Sequence, residues 1–64
     1  MAYRVYGSYK NGRFKAMDIN EGVQVANLIY ATIFWDEQEE YAKRVVEHIS
    51  KENPDWKFEL RKVS

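Results

Sequence analysis

The chain has 64 residues, ten basic and ten acidic side chains, no net formal charge and no cysteine. That length allows one small domain, in which only about 60% of the unfolded chain's surface can be buried. It leaves out a disulfide framework and thiolate or cysteine-metal chemistry. A 45% hydrophobic and 31% charged composition is that of a globular chain, neither disordered nor membrane-like.

The apolar runs fall well short of the roughly 20 residues that a transmembrane helix needs. No basic-then-apolar leader precedes residue 10. The expectation is a complete, single small α+β domain over residues 1–64, cytoplasmic and without a membrane role. The charges are segregated. Residues 1–15 carry Arg4, Lys10, Arg13 and Lys15 without an acid, and residues 16–40 carry Asp18, Glu21, Asp36, Glu37, Glu39 and Glu40 without a base. Such polarity steers charged partners and is weakened by salt.

Asn11-Gly12 lies between Lys10 and Arg13, and this dipeptide favours a two-residue type I′ hairpin turn because both residues tolerate positive φ. The implied register pairs Lys10 with Arg13, Tyr9 with Phe14, Gly7 with Ala16 and Tyr6 with Met17. Tyr3, Val5, Gly7, Tyr9, Phe14 and Ala16 then share one side. Arg4, Tyr6, Ser8, Lys10, Arg13, Lys15 and Met17 share the other. Asp18 to Gly22 reads as a turn.

Leu28 to Trp35 is an uncharged run of β-branched, aromatic and other apolar residues. Helical spacing of Val25, Leu28, Ile29, Thr32 and Ile33 competes with its β-branched and aromatic content, which favours a strand over about 27–34. Asp36 followed three residues later by Glu39 predicts a capped helix start, with Glu37 and Glu40 on the positive end of the dipole. Tyr41, Ala42, Val45, Val46 and Ile49 form its apolar stripe. Asn53, able to adopt a left-handed conformation, and Pro54 end it. Trp56, Phe58 and Leu60 alternate with Lys57, Glu59 and Arg61 as in a half-buried strand at or near an edge.

The predicted fold is α+β: a four-stranded, mostly antiparallel sheet with one helix packed on one face, in the order β-β-β-α-β. The crossover rule sets the last strand parallel to the third. One helix covers one sheet face. If Tyr30, Thr32 and Phe34 face the helix, then Ile29, Ala31 and Ile33 point away; the reverse assignment leaves aromatics outside. An apolar strip remains in either case unless residues 19–26 fold back over it, and contiguous apolar surface marks contact sites.

These residues predict a non-enzymatic protein-protein interaction module. Its candidate surface comprises Arg4, Tyr6, Lys10, Arg13, Lys15, Met17, Ile29, Ala31 and Ile33, an apolar strip with a basic rim. The expected partner is a second copy, as a two-fold homodimer, or another protein. Stand-alone proteins of this kind include phage and mobile-element regulators and inhibitors. The alternative is single-stranded nucleic acid on the basic, Tyr6-bearing hairpin face, although zero net charge lacks the usual basic excess.

An enzyme is the third possibility. His48 is the one histidine and has no nucleophile or metal-ligand spacing around it, so it reads as a surface residue favoured by the helix dipole. The acidic cluster at 36–40 lacks the alternating oxygen pattern of a calcium loop. No catalytic residue, metal, cofactor or small-molecule substrate is assigned.

Overall fold

The computed structural model describes residues 1–63. Its strands are β1 (Ala2–Tyr9), β2 (Lys15–Asp18), β3 (Val23–Gln24), β4 (Ile33–Trp35) and β5 (Trp56–Val63). A helix, α1 (Glu39–Glu52), lies between β4 and β5, and short 3-10 turns occupy Leu28–Tyr30 and Asp36–Gln38. The fold is α+β with one helix and an antiparallel sheet, but with five strands rather than four.

β1 is the centre. β5 pairs with it over all eight residues, from Ala2 opposite Val63 to Tyr9 opposite Trp56. Its other side is shared: β4 takes the first half, with Tyr3 opposite Phe34, and β2 takes the second, with Tyr6 opposite Ala16. Both β4 and β5 are antiparallel to β1. They therefore run in the same direction, as the crossover rule implied, with β1 between them.

The hairpin register differs from the predicted one by a single residue. The type I′ turn centres on Lys10 and Asn11, at φ +47° and +63°, and Gly12 N–H donates to the Tyr9 carbonyl at 2.9 Å. Gly12 serves as the closing residue, where a Cβ would stand 3.0 Å from that carbonyl oxygen. Lys10 is held in its unusual conformation by its own N–H, which donates to the Asp55 carbonyl at 2.8 Å. Gly12 to Phe14 lie outside the strands and absorb one further residue, as a bulge does.

The outcome exchanges Ala16 and Met17. Met17 faces the helix and is 2% exposed, lying over Gly7, where an added Cβ would meet its Cγ at 2.9 Å. Burying a methionine side chain is worth about 1.5–3 kcal/mol, and Gly7 is the position that leaves room for it. Turn preference is a weaker term.

The uncharged run is mostly not a strand. Asn27 accepts a hydrogen bond from Ile29 N–H through Oδ1 at 3.1 Å and closes the Leu28–Tyr30 turn, the local alternative that asparagine offers to a ladder. Pairing resumes at Thr32, whose N–H donates to Met17 O at 2.8 Å and whose Oγ1 accepts from Ile19 N–H at 3.0 Å. Thus β4 takes up the line along β1 that β2 leaves.

Residues 19–26 extend the sheet sideways instead of covering its second face. Asp18 Oδ1 accepts from Asn20 and Glu21 N–H at 3.1 and 3.3 Å, Gly22 sits at φ +72°, and Val23 and Gln24 pair with Asp18 and Met17.

The helix begins and ends by routes other than those predicted. Gln38 Oε1 accepts from Trp35 N–H at 2.9 Å, while Asp36 pairs with the Met1 amino group at 3.1 Å. Only the returning half of a capping box forms, one residue early, because the Trp35 side chain has no acceptor to complete it. Asn53 is at φ −130°, outside the left-handed region. Its backbone and side-chain amides both donate to Ile49 O, at 3.0 and 2.8 Å, which satisfies an otherwise unpaired terminal carbonyl.

The stripe from Ala42 to Ile49 faces the sheet. Val5, Met17, Phe34 and Ala42 are the core, with Ile19, Val45, Val46, Trp56, Phe58 and Leu60 packed around them. Tyr41 is the stripe residue that stays 60% exposed, touching Phe34 edge-on at 5.9 Å between ring centroids.

Candidate functional site: the outer sheet face and the Leu28–Tyr30 turn

Directly opposed residues share a face, so the side of the sheet away from α1 can be read row by row. Val63, Ala2 and Trp35 form the first row, Arg61, Arg4 and Ile33 the second, and Glu59, Tyr6 and Ala16 the third. Ala2, Ser8 and Ala16 are small and buried. Larger neighbours stand around them, and Leu28 of the 3-10 turn lines a shallow depression with Ala16, where the chain passes from Val25 beside Ala16 to Thr32 beside Met17.

The Arg61 guanidinium lies 4.3 Å from the Tyr6 ring centroid and 5.8 Å from that of Phe14. Its Nε donates to Glu59 Oε1 at 2.5 Å. Tyr6 therefore already has a cation on its ring. Arg4, across from Arg61 and Ile33, adds a second positive charge beside the apolar side chains.

The apolar part comes from the uncharged run. Leu28, Ile29, Tyr30, Ile33 and Trp35 are 44%, 77%, 64%, 38% and 57% exposed, and Phe34 alone in the run is buried, at 7%. The turn exposes the first three, and outward alternation in β4 exposes the other two.

The predicted surface residues separate. Arg4, Tyr6 and Ile33 lie together on the outer face, and Ile29 projects from the adjoining turn. Ala31 is half-buried. Lys10 and Arg13 sit at the hairpin end, with Lys10 Nζ 5.4 Å from the Tyr9 ring. Lys15 stands opposite Gly7 and so falls on the helix side. Met17 is excluded outright, because the one-residue change of register puts it in the core. Trp35, Leu28, Tyr30, Phe14 and Arg61 were missed. The alternation of β5 already set Arg61 away from the core, but only the β1–β5 pairing brings it beside Arg4.

Elsewhere the chemistry is sparse. His48 is exposed on α1, 2.5 Å from Glu52. A cavity of about 70 Å³ lies between Met17, Ile19, Gly22, Ile49, Asn53, Trp56 and Phe58; neither His48 nor the acids at 36–40 line it. Among the described residues no three His, Asp or Glu side chains are grouped closely enough to hold a metal. No helix among them is long and apolar enough to cross a membrane.

On the helix side, the Tyr3 hydroxyl donates to Glu39 Oε1, and Lys43 Nζ lies 3.2 Å from Glu39 Oε2. The hydrogen bond from Tyr3, followed by Lys43, holds the Glu39 carboxyl below its ordinary range. The same bond holds the Tyr3 hydroxyl above the usual tyrosine range.

Both shifts strengthen the β1–α1 link between the two ranges. The Glu39 contribution is present above its unfolded value and is lost as pH falls through the lowered one. The Tyr3 contribution is present below the unfolded tyrosine value and is lost as pH rises through the raised one. Tyr3→Phe should therefore lower Tm near neutrality and make the gap to wild type shrink at both pH extremes. A Tm difference that stays constant from acid to alkaline pH would contradict this link.

No protein-family model matches the chain, and neither a curated protein nor a solved structure matches it.

Proposed function

We propose that the chain is a non-enzymatic protein-binding module that uses the Leu28–Tyr30 turn together with Ile33 and Trp35, bordered by Arg4 and Arg61. One observation carries this reading. Five large apolar side chains within eight consecutive residues are exposed, in a segment that contains no charge to keep it in water. Burying them is worth about 25 cal/mol per Å² of apolar area, a driving force that the fold leaves unused.

The border favours a partner that brings acidic groups. Arg61 is already matched by Glu59 at 2.5 Å, so two copies stacked on this face would add a second Arg4 and no free acid to meet it. A different protein with an apolar patch beside carboxylates fits better.

Ile29→Glu is the test, because the side chain is 77% exposed and its change should leave the fold intact. Affinity capture from the source cells with wild type and with Ile29→Glu should give a partner retained only by wild type, with identical circular dichroism for both. Equal retention, or none by wild type, would remove the proposal.

Single-stranded nucleic acid is the second reading, supported by Tyr6 and Phe14 beside Arg4 and Arg61 on one open sheet face. The Arg61 guanidinium over Tyr6 occupies the surface on which a base would stack, which weighs against it. Salt separates the two readings. Binding to an oligonucleotide should fall steeply between low and moderate ionic strength, whereas the protein contact should lose only the part that its arginine border supplies and keep its apolar part.

A further inference from the structure

We infer that the free edge of β5 joins two copies of this chain, antiparallel and in register about Leu60, into one continuous sheet. β5 is the long open edge: eight residues, Trp56–Val63, paired on one side with β1. The opposite edge is made of β3 and β4, of two and three residues, too short to template another strand. Alternate residues of β5 turn their N–H and C=O groups away from β1, as every antiparallel strand does. A second strand would pair them.

The charges of β5 choose the partner and the register. A two-fold axis normal to the sheet keeps both helices on one side and opposes residues of like facing. Centred on Leu60, it sets Leu60 against Leu60, Glu59 against Arg61 twice, Phe58 against Lys62 and Lys57 against Val63. No like charges meet. Centred on Glu59 or on Arg61, it opposes two glutamates or two arginines. Centred on Phe58, it keeps only the residues from Trp56 to Leu60 paired, five of the eight in the strand.

Within each chain Arg61 already holds Glu59 at 2.5 Å, so the Leu60-centred pairing closes a four-membered ring of alternating charge on the outer face. Leu60, Phe58 and Val63 are only half-buried at this edge and would be covered further. The Leu28–Tyr30 turns stay free on the two distant edges, making the dimer bivalent for the partner proposed above. The pairing does not depend on that proposal.

A charge exchange tests it. Sedimentation equilibrium at tens of micromolar should show a wild-type dimer. Glu59→Arg alone and Arg61→Glu alone should each weaken it by roughly tenfold or more, since two attractive cross-strand pairs become repulsive. An equimolar mixture of the two variants should restore the dimer, because the mixed pair sets two arginines on one strand against two glutamates on the other. Circular dichroism of each variant checks that it is folded.

Ile29→Glu should dimerise as wild type does, which separates this edge from the proposed partner surface. A monomeric wild type overturns the inference. So does a dimer indifferent to either charge reversal, a mixture that stays monomeric, or a dimer lost in Ile29→Glu.

Discussion

Met17→Ala should cost about 2–5 kcal/mol of unfolding free energy, the range for removing a large aliphatic side chain from a packed core. For a domain of this length the whole stability is about 3–10 kcal/mol, so the variant should be largely unfolded or lose most of its denaturant midpoint. The side chain is 2% exposed, and it fills the space over Gly7. Urea titration followed by tryptophan fluorescence reads the change. The measurement also decides the hairpin register. In the register implied by an Asn11-Gly12 turn, Met17 lies on the outer face with Arg4 and Tyr6, and its truncation would shift the midpoint hardly at all.

Phe34→Ala should cost about 3–5 kcal/mol, again most of the available stability. Phe34 is the residue through which the uncharged run enters the core: it pairs with Tyr3, meets Tyr41 edge-on and packs with Val5 and Ala42. Ile29, earlier in the same run and no less hydrophobic, should accept glutamate with a change within about 0.5 kcal/mol, as exposed positions do. The contrast between these two positions is the sharpest check on where the run faces. Comparable losses at both would mean that the Leu28–Tyr30 turn is buried.

Much of the architecture was visible in local chemistry. The α1 stripe is legible because Ala42, Val45, Val46 and Ile49 recur at helical spacing and Pro54 forbids continuation. β5 is legible because Trp56, Phe58 and Leu60 alternate strictly with charged residues, and that alternation survives the actual pairing. The hairpin itself was visible, but its register was not. Asn11-Gly12 is compatible with two turn positions one residue apart, and the choice rests on the space over Gly7 and on the Lys10 to Asp55 hydrogen bond, both long-range.

The candidate surface was legible in kind and only partly in membership. Absence of charge from Leu28 to Trp35 already announced apolar surface exceeding what one helix can cover. Arg4, Tyr6, Ile29 and Ile33 were placed by that logic and by strand alternation. Met17 and Lys15 join them only in a register that the structure shifts by one, and a shift of one moves every side chain of β2 to the opposite face; Lys10 and Arg13 fall in the turn and the loop after it. Arg61 was hidden for a different reason: it lies at the far end of the chain from Arg4, and no local pattern spans that separation.

Composition, helical and strand periodicity, and the breaking residues Gly22, Asn53 and Pro54 were enough to determine the α+β class, the single helix and the surplus of apolar surface. These follow from interactions among residues a few positions apart. The tertiary structure alone decided that β1 is central, that β4 and β2 share one of its sides, and that the uncharged run turns outward. Those outcomes depend on which side chain fills which space when distant strands meet, and burying Met17 and Phe34 is worth more than the turn and strand preferences of the residues around them.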